Sequence, residues 1–258
     1  MLFQVIYYIK FLVQSTNQHG VHSPFVYELI TKCFYDSAPK PWYKIIKHYK
    51  KELLNNHTTI TIQDFGAGSR TLQNNHRKIA DIAKKAGISL QRAKLLGRIV
   101  SYCNANTMLE IGTSLGIATA ASSFSQPKSN IITLEGCANT ATIAKKAFEK
   151  YKLSNIEIVI GNFKETLPKV LKNNTFDLIY FDGNHQKNAT IQYFEQCLPH
   201  THNDTVFVFD DIYWSKGMRE AWLYIKEHRA VTVSIDTFYW GIIFFRKEQP
   251  KQHFTIRT

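Results

Sequence analysis

Acidic side chains are in short supply in this chain: 20 Asp and Glu stand against 32 Lys and Arg, a formal charge of +12 over 258 residues. Cysteine is rarer still. The four residues Cys33, Cys103, Cys137 and Cys197 form no CxxC pair and no short metal-ligand spacing. Their scatter excludes a zinc finger, a thioredoxin-type redox pair and a disulfide-stapled scaffold, and it predicts reduced thiols packed as small hydrophobes in a cytoplasmic protein. No apolar run reaches membrane-spanning length. The most apolar, MLFQVIYYIKFLV, is 13 residues long, is interrupted by Lys10 and lacks a following small-residue cleavage site. It reads as a packed or amphipathic helix, with in-plane contact to a membrane surface as the alternative. There is no internal repeat, no low-complexity tract and no flexible linker.

The excess positive charge is localised. Residues 1–100 hold fifteen basic and five acidic side chains, leaving seventeen and fifteen for the remainder. A basic, mostly helical extension over 1–105 and a nearly neutral domain over 106–258 follow from this division. The extension shows helical spacing at 2–14, 23–34, 42–54, 76–86 and 90–103, with a brief extended segment around Ile60 and Ile62. From 107 onward, apolar β-type runs at 107–112, 130–135, 156–161, 176–182 and 205–211 alternate with helical patterns at 117–124, 140–151, 164–171, 186–198 and 216–228. Continuous apolar strands separated by helices predict a parallel sheet covered on both faces, a doubly wound α/β domain. The runs at 231–236 and 239–245 are joined too closely for a crossover and read as an antiparallel hairpin.

The first strand of that domain runs into Glu110-Ile111-Gly112-Thr113-Ser114-Leu115-Gly116, ahead of a helix. The spacing is neither the GxGxxG of nicotinamide enzymes nor a phosphate-binding Walker loop. Alone it is equally a structural strand-to-helix turn. Glu135, nineteen residues beyond Gly116, closes the second strand; an acid there can accept both hydroxyls of a ribose, although it can also serve as a helix N-terminal acid. Together the two features point to nucleoside binding. MLEIGTSLGIATA followed by NIITLEG resembles the cofactor half of class I S-adenosylmethionine-dependent methyltransferases. That resemblance, which spans 107–247, implies a Rossmann-like seven-stranded sheet of order 3-2-1-4-5-7-6 with the last strand antiparallel. It implies that Glu110, Gly112, Thr113, Ser114 and Gly116 lie about the methionine moiety, that Glu135 and Gly136 hold the ribose, that Asn162 and Phe163 flank the adenine, and that Asp182 closes the cofactor site.

Strands four and five end in acids: Asp182 in FDLIYFDGNH, Asp210 and Asp211 in VFVFDDI. Asp182 alone is as readily a helix cap as a ligand, but three carboxylates at neighbouring strand ends suit a hard divalent cation, Mg²⁺ or Mn²⁺. The pattern is similar to that of metal-dependent O-methyltransferases of the catechol and caffeoyl-CoA type. The resemblance implies that Asp182, Asp210 and Asp211 ligate the metal and that His185, in place of a lysine, takes the acceptor's proton, as an imidazole titrating near neutrality can. Asp211 departs from the asparagine of the catechol type. Ala118 replaces a hydroxyl residue that Thr119 or Ser114 could supply.

The expected activity is therefore methyl transfer from S-adenosylmethionine to an oxygen of a small or carrier-linked acceptor, an anionic one among the candidates, with divalent-cation assistance. A nucleic-acid partner is disfavoured, because strand four ends in DGNH and not in the (N/D)PP(Y/F) of base methylation, and no interleaved aromatic-basic motif appears. A non-catalytic cofactor-binding or membrane-associated protein is the third reading, and a homodimer is left open. His19 and His22 lack further ligands for zinc. The loop DFGAGSR with Arg70 reads as a connector or as a lining for cofactor or anionic acceptor. Arg92 belongs with it to a basic cap, and Trp42, Tyr43, Tyr213 and Trp214 are candidates for an acceptor pocket or for core.

Overall fold

A computed structural model describes residues 2–63, 66 and 74–258. In chain order the elements are α1 (Leu2–Gln14), α2 (Pro24–Leu29, continued by a π-helical turn over Ile30–Phe34), α3 (Trp42–Leu54), β1 (Thr59–Thr61), β2 (His76–Lys78), α4 (Ile79–Lys85) and α5 (Leu90–Tyr102). There follow β3 (Thr107–Ile111), α6 (Ile117–Ser125), β4 (Asn130–Glu135), α7 (Ala138–Lys150), β5 (Ile156–Ile160) and α8 (Phe163–Leu171). The chain ends with β6 (Leu178–Phe181), α9 (Lys187–Cys197), β7 (Val206–Asp210), α10 (Lys216–Glu227), β8 (Val233–Asp236), β9 (Trp240–Phe244) and β10 (Gln252–Thr255). This is an α/β Rossmann-like architecture with a mostly parallel sheet, an antiparallel strand near the C-terminus and helices at the N-terminus.

The elements pack as two compact units, 37–170 and 1–36 with 171–258. In the first, β4 lies between β3 and β5, all parallel, with Leu109 opposite Ile132 and Leu134 opposite Val159. Serine side chains cap α2, α5 and α10 where the chain leaves extended structure; the Ser89 hydroxyl accepts the Arg92 N–H to open α5. In the second unit the order is β10-β8-β9-β7-β6. β6, β7 and β9 are buried along their whole length, which is why they read as unbroken apolar runs. Within each unit the strands follow the predicted order, 3-2-1 in one and 4-5-7-6 in the other.

Three features differ from the sequence reading. The strands number eight in these sheets, because Gln252–Thr255 adds to β8 in parallel beyond the predicted antiparallel pair. The predicted helix over 76–86 begins as strand: His76–Lys78 pairs antiparallel with Thr59–Thr61, and helix starts only at Ile79. The front third is divided between the two units. Thr16 bridges Ile256, and the Tyr35 hydroxyl donates to the Arg257 carbonyl at 2.7 Å, so residues 1–36 pack with the end of the chain. Among the described residues no helix is long and apolar enough to cross a membrane, and the four cysteines form no disulfide. The DFGAGSR loop lies outside the described residues except for Gly66.

Aromatic packing fills the core of the second unit. Phe181 stacks on Phe209 with centroids 4.2 Å apart, and Phe194 and Phe207 close edge-on around them. Phe209→Ala removes a fully buried ring and is expected to cost ~3–5 kcal/mol of stability in urea unfolding.

Candidate functional site

In unit 37–170 the end of β4 organises the glycine loop. Gly112 and Thr113 both donate their N–H to the Leu134 carbonyl at 3.0 Å, and Gly161 donates to the Glu135 carbonyl at 2.9 Å. The Glu135 carboxylate accepts the Ser114 N–H at 2.7 Å on one oxygen and the Cys137 N–H at 2.8 Å on the other. The two amides fix the group in place at the end of the strand, one on each carboxylate oxygen. That is the observation by which the loop fits a nucleoside cofactor. Ser114 is held at φ 49° and Gly116 at φ 73°. A Cβ on Gly116 would lie 2.5 Å from the Phe148 ring, so glycine is required here for packing as well as for conformation. Buried Tyr49 donates to the Leu115 carbonyl at 2.9 Å, beneath the loop; burial pushes its phenol far above the ordinary range.

Glu110 lies under this loop. It is fully buried, and one of its oxygens accepts the hydroxyls of Thr119 and Thr133. Its other oxygen has no hydrogen-bond partner among the described residues. Thr119, a candidate hydroxyl for the loop, is therefore committed to Glu110. Asn162 opens α8, its side-chain oxygen accepting the Lys164 N–H at 3.0 Å, with Phe163 the first helical residue. Gly136 is the single residue between Glu135 and the Cys137 N–H that returns to it. Trp42 packs on Gly97, and Tyr43 meets Arg98, both as core contacts between helices. Arg92 stands beside Lys50, whose ammonium is depressed by burial and by that neighbour. A pocket of about 450 Å³ between α3 and α7, lined by Tyr49, Glu52, Lys146 and Lys150 among others, contains none of the predicted site residues.

In the other unit the strand ends bring Asp182, His185 and Asp210 together. The hydroxyl of fully buried Tyr180 lies 3.3 Å from Asp182 Oδ2 and 3.2 Å from Asp210 Oδ2. His185 Nε2 lies 3.5 Å from Asp182 Oδ1. Asn184 and His185 are consecutive left-handed residues, at φ 70° and 49°, and Asp211 is a third at φ 54°. Asn184 Nδ2 donates to the Tyr193 hydroxyl at 3.2 Å, and the Asp211 N–H donates to Asp210 Oδ1 at 2.9 Å. Non-glycine residues in this region cost of order 1–3 kcal/mol each and cluster where a site over-determines them. Among the described residues no three Asp, Glu, His or Cys side chains assemble into a metal-holding group. The predicted trio Asp182, Asp210 and Asp211 does not fit a cation as arranged, because the Tyr180 hydroxyl already occupies the space between two of its carboxylates.

Tyr180 is the residue that sequence reading missed. Side chains two apart on a strand share a face, so Tyr180 in LIYFD was bound to accompany Asp182. Tyr213 belongs elsewhere: its ring stacks on Phe238 and its hydroxyl donates to Asp236 at 2.8 Å. Trp214 donates its N–H to the Asp211 carbonyl at 2.8 Å. His19 and His22 belong to no metal-holding group among the described residues.

Residues 109–212, which run from the glycine loop through both acidic strand ends, match the family model described as "Methyltransferase domain". That segment, about two fifths of the chain, is similar to a methyltransferase domain. The domain is 29% identical over 129 residues to a catechol O-methyltransferase of Niastella koreensis, covering 48% of this chain and 58% of the relative. It is 26% identical over 136 residues to a catechol O-methyltransferase of Mycobacterium tuberculosis, covering 52% and 60%. The chain thus spans less than two thirds of the length of these relatives. Among solved structures, an SAH-bound methyltransferase of Podospora anserina superposes with TM-score 0.63 at 15% identity, covering 88% of this chain and 97% of that one. At that identity the likeness shows the class I methyltransferase fold.

The buried Glu110 makes one prediction about pH. Burial raises Glu110 from 4.5 to about 7, with the charge of Glu135 adding to the effect and the two threonine hydroxyls opposing it. The folded domain thus holds a proton that the unfolded chain releases. The stability from this group is complete below about pH 4.5 and has gone once pH rises through about 7, a loss on the order of 3 kcal/mol. Urea unfolding of the wild type and Glu110→Gln at pH 5 and pH 8 is expected to show that loss in the wild type alone.

Proposed function

We propose that the chain is an S-adenosylmethionine-dependent O-methyltransferase of the catechol and caffeoyl-CoA type, acting on a small or carrier-linked acceptor in the cytoplasm. The observation that carries this reading is the Glu135 carboxylate, fixed by two backbone amides at the end of β4 beside a glycine loop, within the segment that matches the methyltransferase family. When bound, S-adenosylmethionine supplies an electrophilic methyl group on its sulfonium.

The chain's own residues would then divide the work. Glu135 accepts the ribose hydroxyls. The backbone of Gly112, Thr113, Ser114 and Gly116 borders the methionine portion, with Glu110 and Thr119 holding that backbone from below. Gly136, Asn162 and Phe163 border the nucleoside. His185 takes the proton of the acceptor hydroxyl, and Asp182, 3.5 Å from its Nε2, stabilises the imidazolium that forms. Tyr180 positions Asp182 through its hydroxyl.

A second reading, with Mg²⁺ or Mn²⁺ on Asp182, Asp210 and Asp211, draws on the donor chemistry of three hard oxygen ligands at successive strand ends. It requires the Tyr180 hydroxyl to leave its place between two of them, and no step above depends on it.

The test is radiolabelled methyl transfer to catechol and to a caffeoyl thioester. His185→Ala and Asp182→Ala are expected to lower kcat by ~10²–10⁴, with the Kd for S-adenosylhomocysteine close to wild type. Wild-type turnover in both variants, with and without chelator, overturns the assignment. Activity abolished by EDTA and restored by Mg²⁺ or Mn²⁺ favours the metal reading. In the same series Glu135→Ala is expected to raise the S-adenosylhomocysteine Kd ~10-fold or more, since it removes a charged acceptor of hydroxyl hydrogen bonds; calorimetric titration reads that change directly.

A further inference from the structure

Helices α3 and α7 of unit 37–170 leave between them the pocket of about 450 Å³ that holds none of the expected site residues. On α3 it is lined by Tyr49, Glu52, Leu53 and Asn56. On α7 the lining is Ile143, Lys146, Ala147 and Lys150. Steps of three and four residues put each set on one face of its helix. Tyr151, just past α7, adds a second ring, 5.1 Å from that of Tyr49, centroid to centroid. Rings and aliphatic side chains make up the larger part of the wall, and the volume lies in the range of small-molecule sites.

The polar groups decide the kind of ligand, because the acceptors here are already committed. The Glu52 carboxylate accepts the Lys150 ammonium at 2.6 Å on one oxygen and the Tyr151 hydroxyl at 3.0 Å on the other. The Lys150 contact holds that carboxyl below its ordinary range. At the end of α3 the carbonyls of Lys51, Glu52 and Leu53 accept the Asn55 and Asn56 amides. At the end of α7 those of Ala147, Phe148 and Glu149 accept the amides of the following turn. The Asn56 side-chain oxygen accepts the Thr58 N–H. Lys146, one turn before Lys150 on the same face of α7, is a donor beyond the Glu52–Lys150 pair. An ammonium beside apolar walls suits an anionic acceptor on an apolar body, which is the chemistry of an aromatic carboxylate. A phosphate is the poorer match, since it is held by arginine forks and rows of backbone N–H, and no arginine is among the described lining residues.

The same pocket touches the support of the glycine loop. Tyr49 stands in its wall and donates to the Leu115 carbonyl at 2.9 Å. Phe148, next to Ala147 on α7, is the ring against which Gly116 packs, and a Cβ on Gly116 would also lie 3.0 Å from the Tyr49 hydroxyl. Both helices therefore hold one stretch of the loop. We propose that this pocket is a second small-molecule site, which takes an aromatic carboxylate with its ring against Tyr49, Leu53, Ile143 and Tyr151 and its charge on Lys146, and whose occupancy tightens the glycine loop by fixing α3 against α7. The site uses no residue of the methyltransferase reading; the coupling to cofactor rests on that reading. Coupling of two sites is reciprocal, so each ligand raises the affinity for the other by the same factor.

Calorimetric titration of the full chain with benzoate tests the site, with benzamide as the ring without the charge and inorganic phosphate as the charge without the ring. Benzoate is expected to bind at ~1 mM or tighter, and the two controls at least ~10-fold more weakly. Lys146→Gln is expected to weaken benzoate ~10-fold or more, the loss of a charge-assisted hydrogen bond, with circular dichroism and thermal unfolding unchanged. Ala147→Phe, which fills the pocket, is expected to abolish binding. S-adenosylhomocysteine is then titrated with and without saturating benzoate. Its Kd is expected to fall ~5-fold or more in the wild type and to stay unmoved in Lys146→Gln at the same benzoate concentration. Benzoate that fails to bind, or that binds Lys146→Gln as tightly as the wild type, overturns the site. A cofactor Kd that is unchanged or raised by benzoate overturns the coupling. A chain that binds benzoate in this way but never S-adenosylhomocysteine supports the site and overturns the methyltransferase reading, with the coupling that rests on it.

Discussion

Five backbone amides converge on two consecutive residues at the end of β4. Gly112 and Thr113 donate to the Leu134 carbonyl, Ser114 and Cys137 to the Glu135 carboxylate, and Gly161 to the Glu135 carbonyl. The glycine loop, the start of α7 and the end of β5 therefore take their positions from one short stretch of strand. The Ser114 contact is a hydrogen bond to a charged acceptor, stronger than a neutral one, and it offsets the strain of a serine at φ 49°. From the other side, the backbone N–H of Gln63 reaches the Cys137 sulfur at 3.4 Å and Asn139 Nδ2 donates to the Thr61 carbonyl at 2.8 Å. The β1–β2 hairpin thus leans on the same point. The Glu135 side chain itself holds two of these pieces, the glycine loop at Ser114 and the start of α7 at Cys137, which makes this carboxylate a structural hub as well as the proposed ribose acceptor.

The acidic strand ends use a different device. Asp182 and Asp210 meet one phenol, and a phenol has one proton to donate. With Asp210 nearly buried and also accepting its neighbour's amide at 2.9 Å, the two carboxylates are unequal. Asp182 is the more accessible and the nearer to His185, a pairing suited to an acid that orients an imidazole. The left-handed backbone at Asn184 and His185 turns the chain sharply after Gly183 and is held by the Tyr193 hydroxyl. Strain accepted next to the proposed base, and absent from the strands that support it, follows the usual placement of such strain at sites of chemistry.

Much of this was legible in the residues. Strands buried on both sides announce themselves as apolar runs, and acids at their ends, with a glycine turn between strand and helix, mark a ligand face before any coordinates exist. What escaped had weak local signals. β10 is four residues, Gln252–Thr255, half-exposed and polar in part, and only its neighbour β8 makes it a strand. The β1–β2 hairpin is three residues a side, too short for periodicity to speak. The division of the basic front third between two units depends on Thr16 finding Ile256 and Tyr35 finding Arg257, pairings across more than two hundred residues that composition does not encode. Tyr180 was legible in principle through strand alternation, but its role depended on where β7 placed Asp210.

The pairing of the chain's two ends also sets an order of events during synthesis. Residues 37–170 are contiguous and can assemble as soon as they have left the ribosome. The unit made of 1–36 and 171–258 cannot, because Thr16 waits for Ile256 and the aromatic face of α1 waits for Tyr213 and Phe238. The apolar helix α1 is thus made well before the residues that house it. For that interval both of its faces are open to water, which makes α1 a natural substrate of a chaperone.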